Sequence, residues 1–491
     1  MNDGSSCPPV RVATCSLAQH ALDFEGNKIR IAKSIERAKA RGARYRLGPE
    51  LEIPGYGCQD HFLENDTFRH SWQVLADLLV DEKLTYGIIC DIGIPAIHRG
   101  VRYNCRVFVL DGKILLVRPK LYMANDGNYR EHRYFTPWHF ERKNEMYVLP
   151  DVVRRVTGQK TCPFGFFVLD FKDTCLAAET CEELFTPQSP HILLGLNGVD
   201  IISNGSGSHH QLRKLNTRVN LMKNATSKGG GAYLYGEHIF SPLSLSLCSP
   251  HTTIINNKHS YANQQGFDGG RLYFDGCAMI VVNGSIRAQG TQFSVCDIDV
   301  VIANIDVDAI RSYRASISSR SDQASEASAI ERIAVDFALG RDSYMATPII
   351  QLRTHKPEEE IGLGPACWLW DYLRRSGAGG YFLPLSGGAD SASTCAIVGI
   401  MCHLVVEAVQ NGDVNVLEDV RRVTRQTKSH LETLKRREDK ARCDLKNART
   451  ETEKQYATER VSKAQALMKA LNLEYVSFVV RCYIRIVFTL S

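Results

Sequence analysis

Between about residues 9 and 340, short apolar runs of β type alternate with stretches of helical periodicity, and no other feature narrows the fold as much. The apolar runs lie at 9–18, 44–50, 86–95, 106–110, 113–120, 165–171, 200–204 and 277–283. Segment 27–41 sets Ile29, Ile31, Ile35 and Ala38 at helical spacing. Strands interleaved with helices bury their apolar surface by stacking in layers, so the expectation is a layered α/β domain. Strand order is not legible at this level. A chain of 491 residues should form two or more domains. Its net charge of +5 is small for that length and does not argue for a nucleic-acid surface; phosphate-rich small substrates suit it equally. The sixteen cysteines are scattered, without paired CxxC units, which points to a reduced, cytoplasmic protein. The N-terminus lacks a basic-then-apolar leader, and no apolar run reads as long enough to span a bilayer.

A second pattern begins near 357. An acidic start leads into an apolar helix ending in Arg374 and Arg375, and Gly-Ala-Gly-Gly at 377–380 stops it. Tyr381–Leu385 reads as a strand, and Ser-Gly-Gly-Ala-Asp-Ser at 386–391 opens the next helix. Strand, glycine loop and helix together suit a pyrophosphate. Gly387 and Gly388 let backbone amides approach phosphate oxygens, and Ser386 and Ser391 can donate hydroxyl hydrogen bonds. Asp390 can orient the loop or hold Mg²⁺ through water; no other metal ligand suggests itself. Two segments break the patterns. Residues 236–261 carry no periodicity and read either as a long surface loop or as an insertion. From about 424 to 462 the chain is intensely charged and reads as a solvated helix, after which it ends in an apolar, strand-like tail.

Cys181, in Thr-Cys-Glu-Glu-Leu-Phe-Thr-Pro at 180–187, follows small residues and a strand. A thiol does nucleophilic chemistry only with a base and an oxyanion partner. Glu50 and Lys120 each end a strand, and they divide those roles: Glu50 takes the thiol proton and later serves water, while Lys120 holds the oxyanion. A strand-to-helix turn at Cys181 should let helix N-terminal amides lower the thiol pKa.

Gly-Pro-Glu-Leu-Glu-Ile-Pro-Gly-Tyr-Gly at 48–57, Arg-Pro-Lys at 118–120, Asn-Tyr-Arg-Glu-His-Arg-Tyr-Phe at 128–135 and the Cys181 stretch resemble the Glu-Lys-Cys motifs of the nitrilase superfamily. With Asn-Gly-Ser-Gly-Ser-His-His at 204–210 and the loop at 386–391, the set resembles the glutamine-dependent NAD synthetase family. That resemblance implies an αββα nitrilase-type sandwich over 9–345 and a linker and helix over 346–380. A partial Rossmann-like (adenine nucleotide alpha hydrolase-like) parallel α/β domain would follow over 381–491. It makes Glu131 the supporting glutamate and places glutamine near Tyr56, Glu131, Ser208 and Arg213. The loop at 386–391 resembles that of N-type ATP pyrophosphatases, with Ala389 where valine is usual. Implied are the substrates glutamine, deamido-NAD and ATP, with Mg²⁺ as co-substrate and no prosthetic group. A homo-oligomer without nucleic-acid or membrane partners is also implied. Family synthetase domains run further, so the chain is expected to be a C-terminally truncated form. The alternatives are a stand-alone amidase of the nitrilase class with an inactive second domain, or a non-catalytic subunit, which the intact Glu50, Lys120 and Cys181 disfavour.

Overall fold

The computed structural model describes residues 7–139, 142–235, 263–341 and 344–424, together with Lys440, Cys443, Thr458 and the strand Arg485–Phe488. The chain divides into two units, Met1–Pro357 and Glu358–Ser491.

The first unit is built on two sheets. One runs in the order Ile298–Ile305, Val10–Leu17, Tyr45–Leu47, Ile89–His98, Val101–Leu110, Lys113–Pro119, Thr161–Phe164, Glu145–Val148. The other runs Ser285–Gln289, Met279–Val282, Ala232–Tyr235, Ile201–Gly205, Cys175–Thr180, Val168–Asp170, Arg332–Ala334. The helices Phe24–Ala40 and Asn65–Val80 pack on the first sheet; Pro190–Leu196 and Lys214–Gly229 pack on the second. This is the expected αββα sandwich. Asp23 starts the helix Phe24–Ala40 by accepting the Gly26 N–H at 3.1 Å. Ile31, Ile35 and Ala38 of that helix are buried, but Ile29 is exposed. Two residues before Ile31, it lies about 200° round the helix from the packed stripe.

The interior is not uniformly apolar. Fully buried ion pairs join Arg46 to Glu52 at 2.8 Å and Arg106 to Asp91 at 2.7 Å. Ser203, on the second sheet, donates to Asp91 on the first at 3.0 Å. Such pairs add little net stability, because desolvation consumes their attraction, but a lost partner is costly. Arg46 also bonds Ser34 of the helix Phe24–Ala40, and Asp91, held by Arg106, accepts the Ser203 bond that joins the two sheets.

The boundary between units differs from the expected one. Residues before Pro357 line the first unit: the Ile350 N–H donates to the Ile286 carbonyl at 2.9 Å, and Gln289 Nε2 to the Arg353 carbonyl at 3.0 Å. The stretch 346–380 is therefore split, and its helix, Pro357–Ser376, falls almost wholly in the second unit.

In the second unit, Phe382–Leu385 runs parallel to Arg485–Phe488 and leads into the helix Ala389–Gln410. Buried Arg374 bonds Asp371 at 2.6 Å and Asp419 at 2.9 Å, tying Pro357–Ser376 to Val414–Val423. One sequence expectation needs correction. By length and composition Ala389–Gln410 is long and apolar enough to cross a membrane. Its polar residues Asp390, Ser391, Ser393 and Thr394 gather near its start, and beyond them only His403, Glu407 and Gln410 interrupt the apolar run. The readings at 236–261 and, apart from the few residues named above, beyond 424 lie outside the described residues.

Candidate active site

Glu50 is delivered by the backbone that leaves the strand Tyr45–Leu47. Arg106 grips that backbone, donating to the carbonyls of Gly48 at 2.7 Å and Pro49 at 2.6 Å. The fully buried Glu50 carboxylate accepts from Asn104 Nδ2 at 2.7 Å and Lys120 Nζ at 2.6 Å through Oε1. Its Oε2 accepts the Gly207 N–H at 3.0 Å. Lys120, also fully buried, follows the strand Lys113–Pro119, and its own N–H donates to the Asn104 carbonyl at 2.8 Å. Asn104 thus clamps both residues. Glu131, in the short 3₁₀ turn Glu131–Arg133, takes Lys120 Nζ on both oxygens at 2.9 and 2.7 Å. It also accepts Tyr56 Oη at 2.5 Å and the Ala124 N–H at 3.1 Å.

Cys181 stands where the strand Cys175–Thr180 turns into the 3₁₀ helix Cys181–Leu184. Its φ is +40°, a conformation that a residue with a Cβ holds only under constraint, at a cost of about 1–3 kcal/mol. The constraint is visible. The Cys181 N–H donates to Asn204 Oδ1 at 2.8 Å, and Ser206 Oγ donates to that same oxygen at 2.9 Å. Asn204 Nδ2 in turn donates to Tyr233 Oη at 3.0 Å.

The electrostatics reverse one expectation. The Cys181 thiol is pushed well up, chiefly by burial and then by the Glu50 charge, with Lys120 opposing. The helix after it is a single 3₁₀ turn, too short to offset the desolvation of a side chain this enclosed. Burial also works against the Lys120 charge, but Glu131 and Glu50 outweigh it and hold the amine well above its usual value. Burial raises the Glu131 carboxyl against the pull of Lys120. A neutral thiol thus faces a carboxylate–ammonium–carboxylate array. For such a sulfur to attack as a nucleophile its proton would have to leave as the bond forms, and of the neighbouring charges Glu50 acts on the thiol most strongly.

A cavity of about 140 Å³ opens beside this array, with Leu51, Tyr56, Tyr129, Glu131, Asp268 and Arg271 in its wall. The Tyr56 ring lies edge-on to Tyr129 and Phe274, at 6.2 and 6.0 Å between centroids. A Cβ on Gly207 would fall 2.5 Å from that ring. Gly207→Ala should therefore drive Tyr56 off Glu131, costing about 1–3 kcal/mol of stability. Thermal unfolding beside the rate of amide hydrolysis checks this, and both should fall. Buried Ser208 Oγ finds no hydrogen-bond partner among the described residues, which leaves a hydroxyl for a ligand. Arg213 donates to the His355 carbonyl at 2.6 Å. It is Lys214 that turns towards the cavity, bonding Tyr129 Oη at 3.2 Å, and burial lowers its pKa. A larger groove, of about 570 Å³, lies around Cys175, the opposite end of the strand that leads to Cys181. Arg311 and Arg314 in its wall are paired with Asp200, each at 2.9 Å.

In the second unit the loop at 386–391 has the expected form. Gly387 has φ +85° with open space around it. Ser386 Oγ lies 3.2 Å from Ser391 Oγ and accepts the Gly388 N–H at 3.4 Å. Asp390 is exposed in the first turn of Ala389–Gln410. Among the described residues no group of three or more His, Cys, Asp or Glu side chains could hold a metal ion.

Sequence reasoning passed over Asn104, Asn204, Arg106, Glu183 and Lys214. Lys214 stands beside Arg213, Asn204 opens the stretch at 204–210, and Glu183 lies within the Cys181 stretch at 180–187, but nothing local gives these three a role. Asn104 and Arg106 carry no local signal.

The carbon-nitrogen hydrolase family model matches residues 11–315. The glutamine-dependent NAD(+) synthetase of Macaca fascicularis is 56% identical over 420 residues, covering 85% of this chain and 56% of that protein. The Saccharomyces cerevisiae protein of the same name is 52% identical over 423 residues, again 85% of this chain and 56% of the relative. The chain thus spans a little over half the length of these relatives. Among solved structures, a glutamine-dependent NAD(+) synthetase from Cytophaga hutchinsonii superposes with a TM-score of 0.62 at 21% identity, over 85% of this chain and 56% of that one, which supports the fold. The family match takes in well over half of the sequence and contains Glu50, Lys120 and Cys181, and the chain belongs to the carbon-nitrogen hydrolase family.

Proposed function

We propose that this protein is a glutamine-hydrolysing NAD(+) synthase. The observation that carries the reading is the buried array in which Lys120 bridges Glu50 and Glu131 beside Cys181. Glutamine enters the cavity walled by Tyr56 and Glu131, with Ser208 and Arg213 or Lys214 towards its α-amino and carboxylate groups. The Cys181 sulfur attacks the carboxamide carbon as Glu50 takes the thiol proton. The oxyanion is held by Lys120, which needs no reorganisation because its charge is already fixed. Glu50 returns the proton to the leaving nitrogen, ammonia departs and a thioester remains. Glu50 then deprotonates water, the hydroxide displaces the thiolate, and glutamate leaves as the sulfur regains a proton.

The second unit would consume the ammonia. ATP adenylates the nicotinate carboxylate of deamido-NAD, releasing pyrophosphate onto the loop at 386–391, and ammonia displaces AMP to give NAD. Mg²⁺ fits as an ion that arrives with ATP: one carboxylate, Asp390, beside the phosphates is a donor set such an ion accepts. The scattered cysteine pattern supports a cytoplasmic setting.

The test is to supply purified protein with deamido-NAD, Mg-ATP and either glutamine or ammonia. Glutamate release with NAD from both nitrogen sources is expected. Glutamate without NAD from either source would reduce the reading to an amidase, and no glutamate at all would overturn it. In the same system Asp390→Ala should weaken ATP binding roughly tenfold by calorimetry, the scale of one lost contact to a charged group. Unchanged affinity would remove the loop from the nucleotide site.

A further inference from the structure

Glu183 has no part in the chemistry above, yet its carboxylate is tied to the framework on both sides of the site. It is fully buried, two residues beyond Cys181. Through Oε2 it accepts the N–H of Thr180, the residue before the nucleophile, at 2.8 Å. Through Oε1 it accepts Arg118 Nη1 at 2.7 Å and the N–H of Leu121. Arg118 Nη2 also lies 2.7 Å from Oε2. Thr180 belongs to the second sheet, while Arg118 is the next-to-last residue of the strand Lys113–Pro119 of the first and Leu121 lies just beyond that strand. One carboxylate therefore bridges the two sheets by bonding the residue that precedes Cys181, the residue two before Lys120 and the residue that follows it.

From this geometry we infer that Glu183 is a positioning residue that sets the register between the Cys181 sulfur and the Lys120–Glu50 pair. The inference rests on the proposed thiol chemistry and deepens it. Every group Glu183 faces is a donor: two backbone N–H groups and a guanidinium. Glutamine at this position has nearly the same shape but presents an NH₂ where an oxygen stood, so one donor must confront another. The cheapest relief is for one of the tethered backbones to move, which shifts Cys181 against Lys120. Displacements of about 1 Å between reacting groups are enough to cost on the order of 100-fold in rate.

A buried glutamate can also be merely structural, so the test must read the geometry of the site. The probe is iodoacetamide, and the readout is the alkylation rate of the Cys181 peptide by mass spectrometry, which needs no glutamine turnover. Glu50→Gln should slow alkylation at least tenfold in the otherwise native protein, because the carboxylate that takes the thiol proton is gone. In a Glu183→Gln background the same change should slow it less than threefold, since Glu50 no longer addresses the sulfur. Alongside, kcat for glutamine hydrolysis should fall about 100-fold in Glu183→Gln while KM moves less than threefold. Equal effects of Glu50→Gln in both backgrounds overturn the inference, as does a native kcat. If Glu183→Gln does not fold, Arg118→Lys, which keeps the charge but loses the bidentate contact, enters the same cycle with the same criterion. If native protein hydrolyses no glutamine, the proposed function fails, while the alkylation cycle still decides the role of Glu183.

Discussion

Cys181→Ala should lower glutamine hydrolysis by at least about 10⁴-fold, the scale on which an enzyme loses turnover when its nucleophile is removed. The structure makes the loss this large because no second nucleophile stands in reserve. Among the groups that bond at the array, Lys120 is held charged and Glu50 and Glu131 are both engaged with it. Glu50 would have no sulfur proton to take. Glutamine affinity should change little, since the cavity wall of Tyr56 and Glu131 lies outside the substituted side chain. Stability should not fall by more than about 2 kcal/mol, since only one sulfur atom is removed and the cavity it leaves is small. Steady-state glutamate release with a binding measurement checks both halves. Glutamate release at the native rate would show that the thiol is not the nucleophile and would end the mechanism. In a protein competent for the complete reaction, ammonia-driven NAD formation should persist in this variant. That separates a broken amide-hydrolysing site from a broken fold.

How far the sequence reached can be judged residue by residue. The layered α/β class was legible because each strand's apolar run is local: 9–18 became Val10–Leu17, and 113–120 became Lys113–Pro119. Sheet order was not, because pairing joins residues far apart. Val10 lies opposite Ile305, and nothing local announces that. Glu50, Lys120 and Cys181 could be named together because short motifs surround each of them. Their supports could not. Asn104 reaches Glu50 across 54 positions, and Asn204 reaches Cys181 across 23, through side chains that look ordinary in a list of residues. The charge state of the thiol went wrong for a related reason. The local pattern predicts helix amides near the sulfur, but burial and the Glu50 charge come from the opposite sheet and dominate. Ile29 is the converse case, a helical position of correct type that the phase of the helix turns outward.

Lys120→Met should damage both activity and folding, and its cost to folding should exceed that of Cys181→Ala. The amine holds two carboxylates together in an interior where none of the three is exposed by more than a few per cent. Without it, Glu50 and Glu131 confront each other unscreened, and breaking a buried ion pair this way costs about 3–5 kcal/mol. The pH dependence follows from the signs. In the native protein Lys120 has a folded pKa raised above its unfolded value. The stability it contributes is complete below that unfolded value and fades only as pH rises through the folded one, so it is constant from pH 5 to 8. In the variant the Glu131 carboxyl, which burial already raises, rises further. A carboxyl raised in this way contributes stability below its unfolded pKa that is lost as pH rises through its folded one. The deficit relative to native protein should therefore widen between pH 5 and pH 8. Thermal unfolding of both proteins across that range reads it directly, and a deficit that does not widen would show that Glu131 does not depend on Lys120 for its charge. Activity should fall on the order of 10³-fold even where the variant is folded, because the oxyanion then has no fixed cation. A smaller loss would move that role to backbone amides and leave Lys120 as the residue that holds Glu50 and Glu131 in place.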